Sequence, residues 1–393
     1  MFNFKWTSFL ALACAFLATA CASATTSTPT IVLATVDPST PVRSVSQATL
    51  VPETTRVTEP NAAPTASPIP PTVSNATRVA AATATLLPEP TATPLNPLTI
   101  PALRARDFLG SELVIEQTLT PGANYQRYVA SHLSDGLKIY GLLTVPNGEK
   151  PATGWPVILF NHGYISPSEY RTSERYVAYQ DAIARAGYIT FKSDYRGHGN
   201  SEGTPSGHFA PGYTIDVLNA MGSLKKFADA DPNRIGMWGH SLGGEIVLRA
   251  MVISPDIKAG VSWAGTVAPP SQQLGMWGGG GGGGANSPHS APRAPSDLTQ
   301  QYGTPEENPE FWASLAATSY LAELSGPLQL HHGTADPEVP LSFSQVLYDE
   351  ILKAGKTPEL YAYTGDNHNL SANFNTAMRR TIAFFDKYVK GQP

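Results

Sequence analysis

Cysteine is almost absent from this chain: Cys14 and Cys21 are the only two among 393 residues, so everything beyond Cys21 is thiol-free. Disulfides and thiolate metal sites are thereby excluded from the body of the protein. Charge is also sparse. Asp, Glu, Lys and Arg make up 15% of the residues with a formal net charge of −5, and no lysine or arginine run alternates with aromatics. Nucleic acid is therefore not an expected partner. Metal-ligand spacing is missing, because the adjacent His331 and His332 project to opposite faces of an extended strand. A phosphate loop is missing as well: the seven glycines at 278–284 are not followed by the Lys-Ser/Thr pair that holds phosphate and magnesium. No cofactor is implied.

What is present divides the chain in three. Residues 1–20 carry one cationic side chain, Lys5, then an almost uncharged apolar run over 6–18 and small residues before Cys21, the layout of an export signal. The stretch is too short and wrongly flanked for a transmembrane anchor. Its end, "FLATAC", resembles a bacterial lipoprotein signal, although Ala18 stands three before the cysteine where leucine is commoner. That resemblance implies a lipid on Cys21 and an exported, membrane-anchored location at the cell surface. Residues 22–98 hold 13 Pro and 17 Thr but only seven charged side chains, a composition that cannot bury a core. Proline favours extended backbone, so this segment reads as a semi-stiff tether or as filler of the same composition.

From residue 99 onward the composition is globular and long enough for one large domain. The alternating runs "NYQRYVASHLS" and "LKIYGLLTVP" bracket Asp135-Gly136 and predict an antiparallel hairpin. Beyond them, short apolar strands such as "WPVILFNHG" and "NRIGMWGHS" alternate with helical periods such as "GGEIVLRAMVIS" and "AMRRTIAFFDKYVK". Alternation of this kind predicts an α/β fold with a mainly parallel sheet covered on both faces.

The chemistry-bearing motif falls on one of the strand-to-helix junctions. Ser241 is centred in Gly239-His240-Ser241-Leu242-Gly243, and the flanking glycines permit a tight turn that exposes the serine at a helix N-terminus. A serine hydroxyl needs a base, and an imidazole needs a carboxylate to fix its tautomer. Asp336 ends the strand "LQLHHGTAD" and His368 ends "LYAYTGDNH", which gives the chain order Ser, acid, His at the carboxyl edge of the sheet. Asp366, two residues before His368, is the rival acid. His331 and His332 are read as packed or hydrogen-bonded, His240 as support for the turn, and His162 and His198 as structural loop residues near the site. The N–H groups of Leu242 and Tyr164 are the expected oxyanion hole, with Gly163 keeping its loop open.

Taken together, "NHG", "DYRGHGNSEG", "DPNRIGMWGHSLGG", "HHGTADPEVP" and "GDNH" resemble the α/β-hydrolase superfamily over about residues 155–389. They look most like the catalytic domain of the prolyl oligopeptidase family, with dienelactone-hydrolase-like esterases nearby. The resemblance implies an eight-stranded sheet, a Ser241/His368/Asp336 triad and an acyl-enzyme acting on peptide or ester substrates. Two departures bear on substrate. Larger members of the peptidase family carry a β-propeller where this chain has its tether and hairpin, and they often place an aromatic residue after the nucleophile, where Leu242 stands here. Both departures count against a peptidase, but the stretch from "DPNRIGMWG" to "HHGTADPEVP" resembles that family most, so the expected activity is that of a serine-type peptidase, or alternatively a carboxylesterase; a binding module that keeps the fold without chemistry is the remote alternative. An insertion at about 266–325 contains the glycine run, read as a hinge for "PEFWASLAATSYLAEL" or as slack in a surface loop.

Overall fold

The computed structural model describes residues 94–206, 208–277 and 294–392. The leader with Cys14 and Cys21, nearly all of the Pro/Thr-rich segment and the glycine run at 278–284 lie outside the described residues.

Among the described residues, nine strands form one sheet in the order β1-β2-β3-β5-β4-β6-β7-β8-β9. β1 (Val114–Leu119), β2 (Tyr125–Ser134) and β3 (Leu137–Pro146) make an antiparallel meander, and β3 joins β5 (Ile189–Ser193) antiparallel. β4 (Trp155–Asn161), β6 (Ala230–His240), β7 (Ile257–Trp263), β8 (Leu328–Gly333) and β9 (Glu359–Tyr363) continue from β5 in parallel. The expected hairpin is β2–β3, with Ser134 paired to Leu137 across Asp135-Gly136. Both turn residues have positive φ, 52° and 82°, as the two-residue hairpin turn that fits strand twist requires.

The sheet has one strand more than the eight that the resemblance implied. The additional strand is β1, whose six residues are almost all exposed, so its sequence "VIEQTL" carries no buried alternation to reveal it. It takes the sheet edge that the hairpin was expected to supply.

Alternation along the central strands builds a core on each face. Val157, Leu159 and Met237 face one way, joined by helices α1 (Ile100–Arg104), α3 (Gly212–Leu224), α4 (Leu242–Ile253) and α8 (Leu341–Lys353). Ile158, Phe160 and Trp238 face the other, against α2 (Val177–Arg185) and α9 (Phe374–Phe385). A parallel sheet with both faces covered needs apolar side chains in both registers, which explains the unbroken apolar character of these strands. The helix following Ser241 is buried along all twelve of its residues and so is rigidly held.

Between β7 and β8 lie α5 (Pro270–Trp277), α6 (Ala294–Tyr302), α7 (Pro309–Leu315) and a 3₁₀ segment, Ala317–Glu323. Asn308 caps α7 by accepting from the Phe311 N–H, and Pro309 follows it at the first helical position. Trp312 and Leu315 of α7 pack on Phe209, with Leu98 against the same cluster. Leu98 thus contacts the domain just before Thr99, whose hydroxyl accepts from Ala102 N–H and caps α1.

Candidate active site

Ser241 is the single residue between β6 and α4, and its backbone stands at φ 55°, ψ −121°. A side chain with positive φ is held there only when its surroundings leave no alternative. Both motif glycines supply that constraint. A Cβ at Gly239 would sit 2.1 Å from the Gly243 carbonyl oxygen, and one at Gly243 would sit 2.0 Å from the Asn161 carbonyl oxygen at the end of β4. The turn is then pinned: Ser241 N–H donates to Trp263 O at 2.9 Å, while Ser241 O accepts from Gly244 N–H at 2.9 Å and Thr266 N–H at 3.2 Å. The helix that starts at Leu242 places its N-terminus, and so the positive end of its dipole, at the serine.

Asp336 and His368 come from the loops after the neighbouring parallel strands β8 and β9. His368 Nδ1 lies 2.7 Å from Asp336 Oδ2. Because an ionised carboxylate only accepts, Nδ1 carries the proton and Nε2 is left as the basic nitrogen. The other carboxylate oxygen, Oδ1, accepts from Glu338 N–H at 2.8 Å and Val339 N–H at 3.0 Å. Burial pushes the Asp336 carboxyl up, but hydrogen bonds from His332, His368 and Val339 outweigh it and hold the group well below the usual carboxylate range. Asp336 is thus a fixed anion behind the imidazole.

The strand ends are tied together by a hydrogen-bonded chain. Gly163 N–H donates to the Tyr176 hydroxyl at 3.0 Å, and that hydroxyl donates to His240 Nδ1 at 2.7 Å. His240 Nε2 then donates to the backbone carbonyl of His368 at 2.9 Å, with the two rings 4.5 Å apart. Burial, and after it the neighbouring His368, pulls His240 down to about 3, so it stays neutral and serves as a spacer. The residue before Ser241 therefore carries the loop of His368. Among the described residues no hydrogen bond joins Ser241 Oγ to His368.

The loop bearing the expected oxyanion donor presses on the serine: a Cβ at Gly163 would lie 3.1 Å from Ser241 Cβ. Tyr164 follows, half-buried, its hydroxyl pushed up by burial and then by Glu169. Tyr176 was not singled out from the sequence. It stands within a run of helical periodicity that gives no sign of a partner 64 residues away.

The rival candidates have other tasks. Asp366 closes the His368 loop: Oδ1 accepts from Asn367 N–H and Ala372 N–H, and Oδ2 from the backbone and side-chain nitrogens of Asn373, all at 2.9–3.1 Å. His331 lies between Gln329 and Tyr363, and His162 is stacked between Tyr170 and Tyr195. His198 bridges the carbonyls of Arg196 and Ile165. His332, by contrast, reaches the acid itself, its Nε2 lying 3.2 Å from Asp336 Oδ2. A carboxylate oxygen of Glu338 stands 3.9 Å from His368 Nε2. One helical turn beyond Ser241, a shallow recess is walled by Phe209, Leu248, Val267 and Leu315 with Glu245, Arg249 and Gln273.

Comparison with known proteins fits this geometry. Residues 156–279 match the family described as "Serine aminopeptidase, S33", and residues 293–392 match the "Prolyl oligopeptidase family". The "Uncharacterized peptidase YtmA" of Bacillus subtilis is 23% identical over 279 residues, 70% of this chain and 96% of its own length. Among solved structures, Pyrococcus horikoshii acylaminoacyl peptidase superposes with a TM-score of 0.53 at 22% identity, over 68% of this chain but only 42% of that one. Acetyl xylan esterase 1 from Thermoanaerobacterium superposes with a TM-score of 0.53 at 17% identity, over 73% of this chain and 90% of the esterase.

Proposed function

Starting from an α/β-hydrolase near the prolyl oligopeptidase family, and so from a serine hydrolase, we propose that the chain cleaves peptide bonds through an acyl-enzyme formed on Ser241. The observation that carries this reading is the 2.7 Å bond between Asp336 and His368 beside the strained elbow that presents Ser241. In the proposed sequence His368 Nε2 takes the Ser241 proton as Oγ attacks the carbonyl carbon. The oxyanion is received by the N–H groups of Leu242 and Tyr164, and each such donor contributes about 3–4 kcal/mol to the transition state. His368 then protonates the leaving nitrogen, and water activated by the same nitrogen releases the acid. Both family matches are to peptidases, which favours the amide.

A carboxylesterase is the second reading. Leu242 after the proposed nucleophile, where the peptidases often have an aromatic residue, favours it. The deciding experiment compares turnover of proline- and alanine-containing peptide anilides with that of short-chain nitrophenyl esters, using Ser241→Ala as the blank. Peptide cleavage lost in the blank is the expected result. Ester turnover with no amide cleavage assigns the esterase, and full activity in Ser241→Ala, or no labelling by a fluorophosphonate, overturns both.

We propose further that the protein is exported and held at a bacterial membrane by a lipid on Cys21, with the Pro/Thr-rich segment as tether. The "FLATAC" ending supports this. Metabolic labelling with a fatty acid should mark the chain and fail in Cys21→Ser; equal labelling of both removes the assignment.

A further inference from the structure

The triad reading uses one imidazole on Asp336, yet two reach it. His332, fully buried at the end of β8, has Nε2 2.9 Å from the Val339 carbonyl oxygen and 3.2 Å from Asp336 Oδ2. Both of these oxygens can only accept, so Nε2 carries a proton that the two share. The other nitrogen, Nδ1, lies 2.7 Å from the Ser344 hydroxyl on α8, which holds the ring from its far side. Val339 closes the ring, its N–H donating to Asp336 Oδ1. Behind the acid there is thus a buried serine–histidine pair, Ser344 and His332, facing the Ser241 and His368 pair across one carboxylate.

We infer that His332, held by Ser344, is a positioning residue for catalysis: it donates to Asp336 Oδ2 and so sets both the orientation of the carboxylate and how strongly it draws on the His368 Nδ1 proton. The inference rests on the triad reading above. Its physical content is a division of charge. An oxygen receiving a hydrogen bond from His332 has less negative charge to offer His368. Remove that bond and Asp336 pulls harder on His368 Nδ1–H, stabilises the imidazolium, and the base becomes protonated at a higher pH. A packing role for His332 alone would change the amount of folded enzyme and leave that pH unmoved. The other titratable groups facing the cluster are His240, its ring 4.5 Å from that of His368, Tyr176 bonded to His240, and Glu338, 3.9 Å from Nε2. All three stay in place in the variants below.

The test is the pH profile of kcat/KM for the full chain with His332→Leu, His332→Gln and Ser344→Ala. His332→Leu removes the donor, and kcat/KM should fall by about 10-fold, with the acid limb moving to higher pH by roughly half a unit. His332→Gln can place an amide N–H near the former Nε2, and its acid limb should return to the wild-type position. Ser344→Ala, which only loosens the ring, should move the limb the same way by less; it also serves as the deciding variant if His332→Leu does not fold. An acid limb unmoved in whichever of the two is decisive, or moved equally by His332→Gln, overturns the inference. Failure of the triad reading would look different: Ser241→Ala would retain activity, or fluorophosphonate would not label the wild type.

Discussion

The elbow that carries Ser241 and the two loops after β8 and β9 hold their side chains by opposite means. At the elbow, backbone meets backbone so closely that no Cβ fits at Gly239 or Gly243. In the loops after β8 and β9, carboxylates gather backbone N–H groups: Asp336 takes those of Glu338 and Val339, and Asp366 those of Asn367, Ala372 and Asn373. One region is fixed by excluded volume and the other by satisfied acceptors. They should therefore fail under different substitutions, the elbow to one methyl group and the loops to the loss of one charge.

The largest effect should come from Asp336→Asn, which keeps the volume and removes the charge. Asparagine retains one oxygen for the Glu338 and Val339 N–H groups but turns an amide toward His368, forcing the wrong tautomer. A kcat per folded molecule lower by roughly 10⁴-fold is expected, far more than the accompanying drop in thermal midpoint accounts for. Wild-type turnover would remove Asp336 from the mechanism. Gly243→Ala should do the reverse, because the added methyl meets the Asn161 carbonyl at 2.0 Å and the backbone itself must shift. A loss of about 3 kcal/mol of stability is expected by denaturant titration, with activity following the folded fraction.

Asp366→Asn comes next. Burial pushes this carboxyl up, but the Asn373 side chain and the surrounding N–H groups hold it below its ordinary range. A depressed carboxylate stabilises the fold above its unfolded pKa of about 3.9, and that stability is lost as pH falls through the lower folded value. The variant should lose about 2 kcal/mol at neutral pH, and should show a shallower decline than wild type below about pH 4. Identical acid unfolding curves would show that the loop does not depend on this charge.

The same contrast separates what was legible in the sequence from what was not. Constraint by excluded volume is local, so G-x-S-x-G between a strand and a helix points to Ser241 from the sequence alone. Asp336 and His368 followed from strand ends and chain order, and the structure brings those two within hydrogen-bonding distance. Constraint by satisfied acceptors is not local. Asp366 looked like a rival acid because its four donors lie in a loop whose path the sequence does not state. Tyr176, which joins the oxyanion loop to His240, and His332, which meets Asp336 from behind, become visible only when three strand ends converge. β1 escaped for a simpler reason: an exposed edge strand has no buried face to alternate.

The smallest effect should sharpen the comparison most, because it lies where the two regions join. The Tyr176 hydroxyl accepts from Gly163 N–H and donates to His240 Nδ1, and His240 in turn donates to the His368 carbonyl. Tyr176→Phe keeps the ring packed on Phe160 and Trp238 but cuts the chain at one atom. Gly163 N–H loses its acceptor and His240 Nδ1 its donor, so the loop of His368 is steadied by His240 alone. A net hydrogen bond contributes about 0.5–1.5 kcal/mol, so kcat/KM should fall by roughly 3- to 10-fold while the thermal midpoint moves by only a few degrees. An unchanged kcat/KM would mean that excluded volume at the elbow sets the position of His368 without help, and that the two regions are mechanically independent. A fall of the expected size would show that the rigid region lends its order to the loops through a single tyrosine hydroxyl.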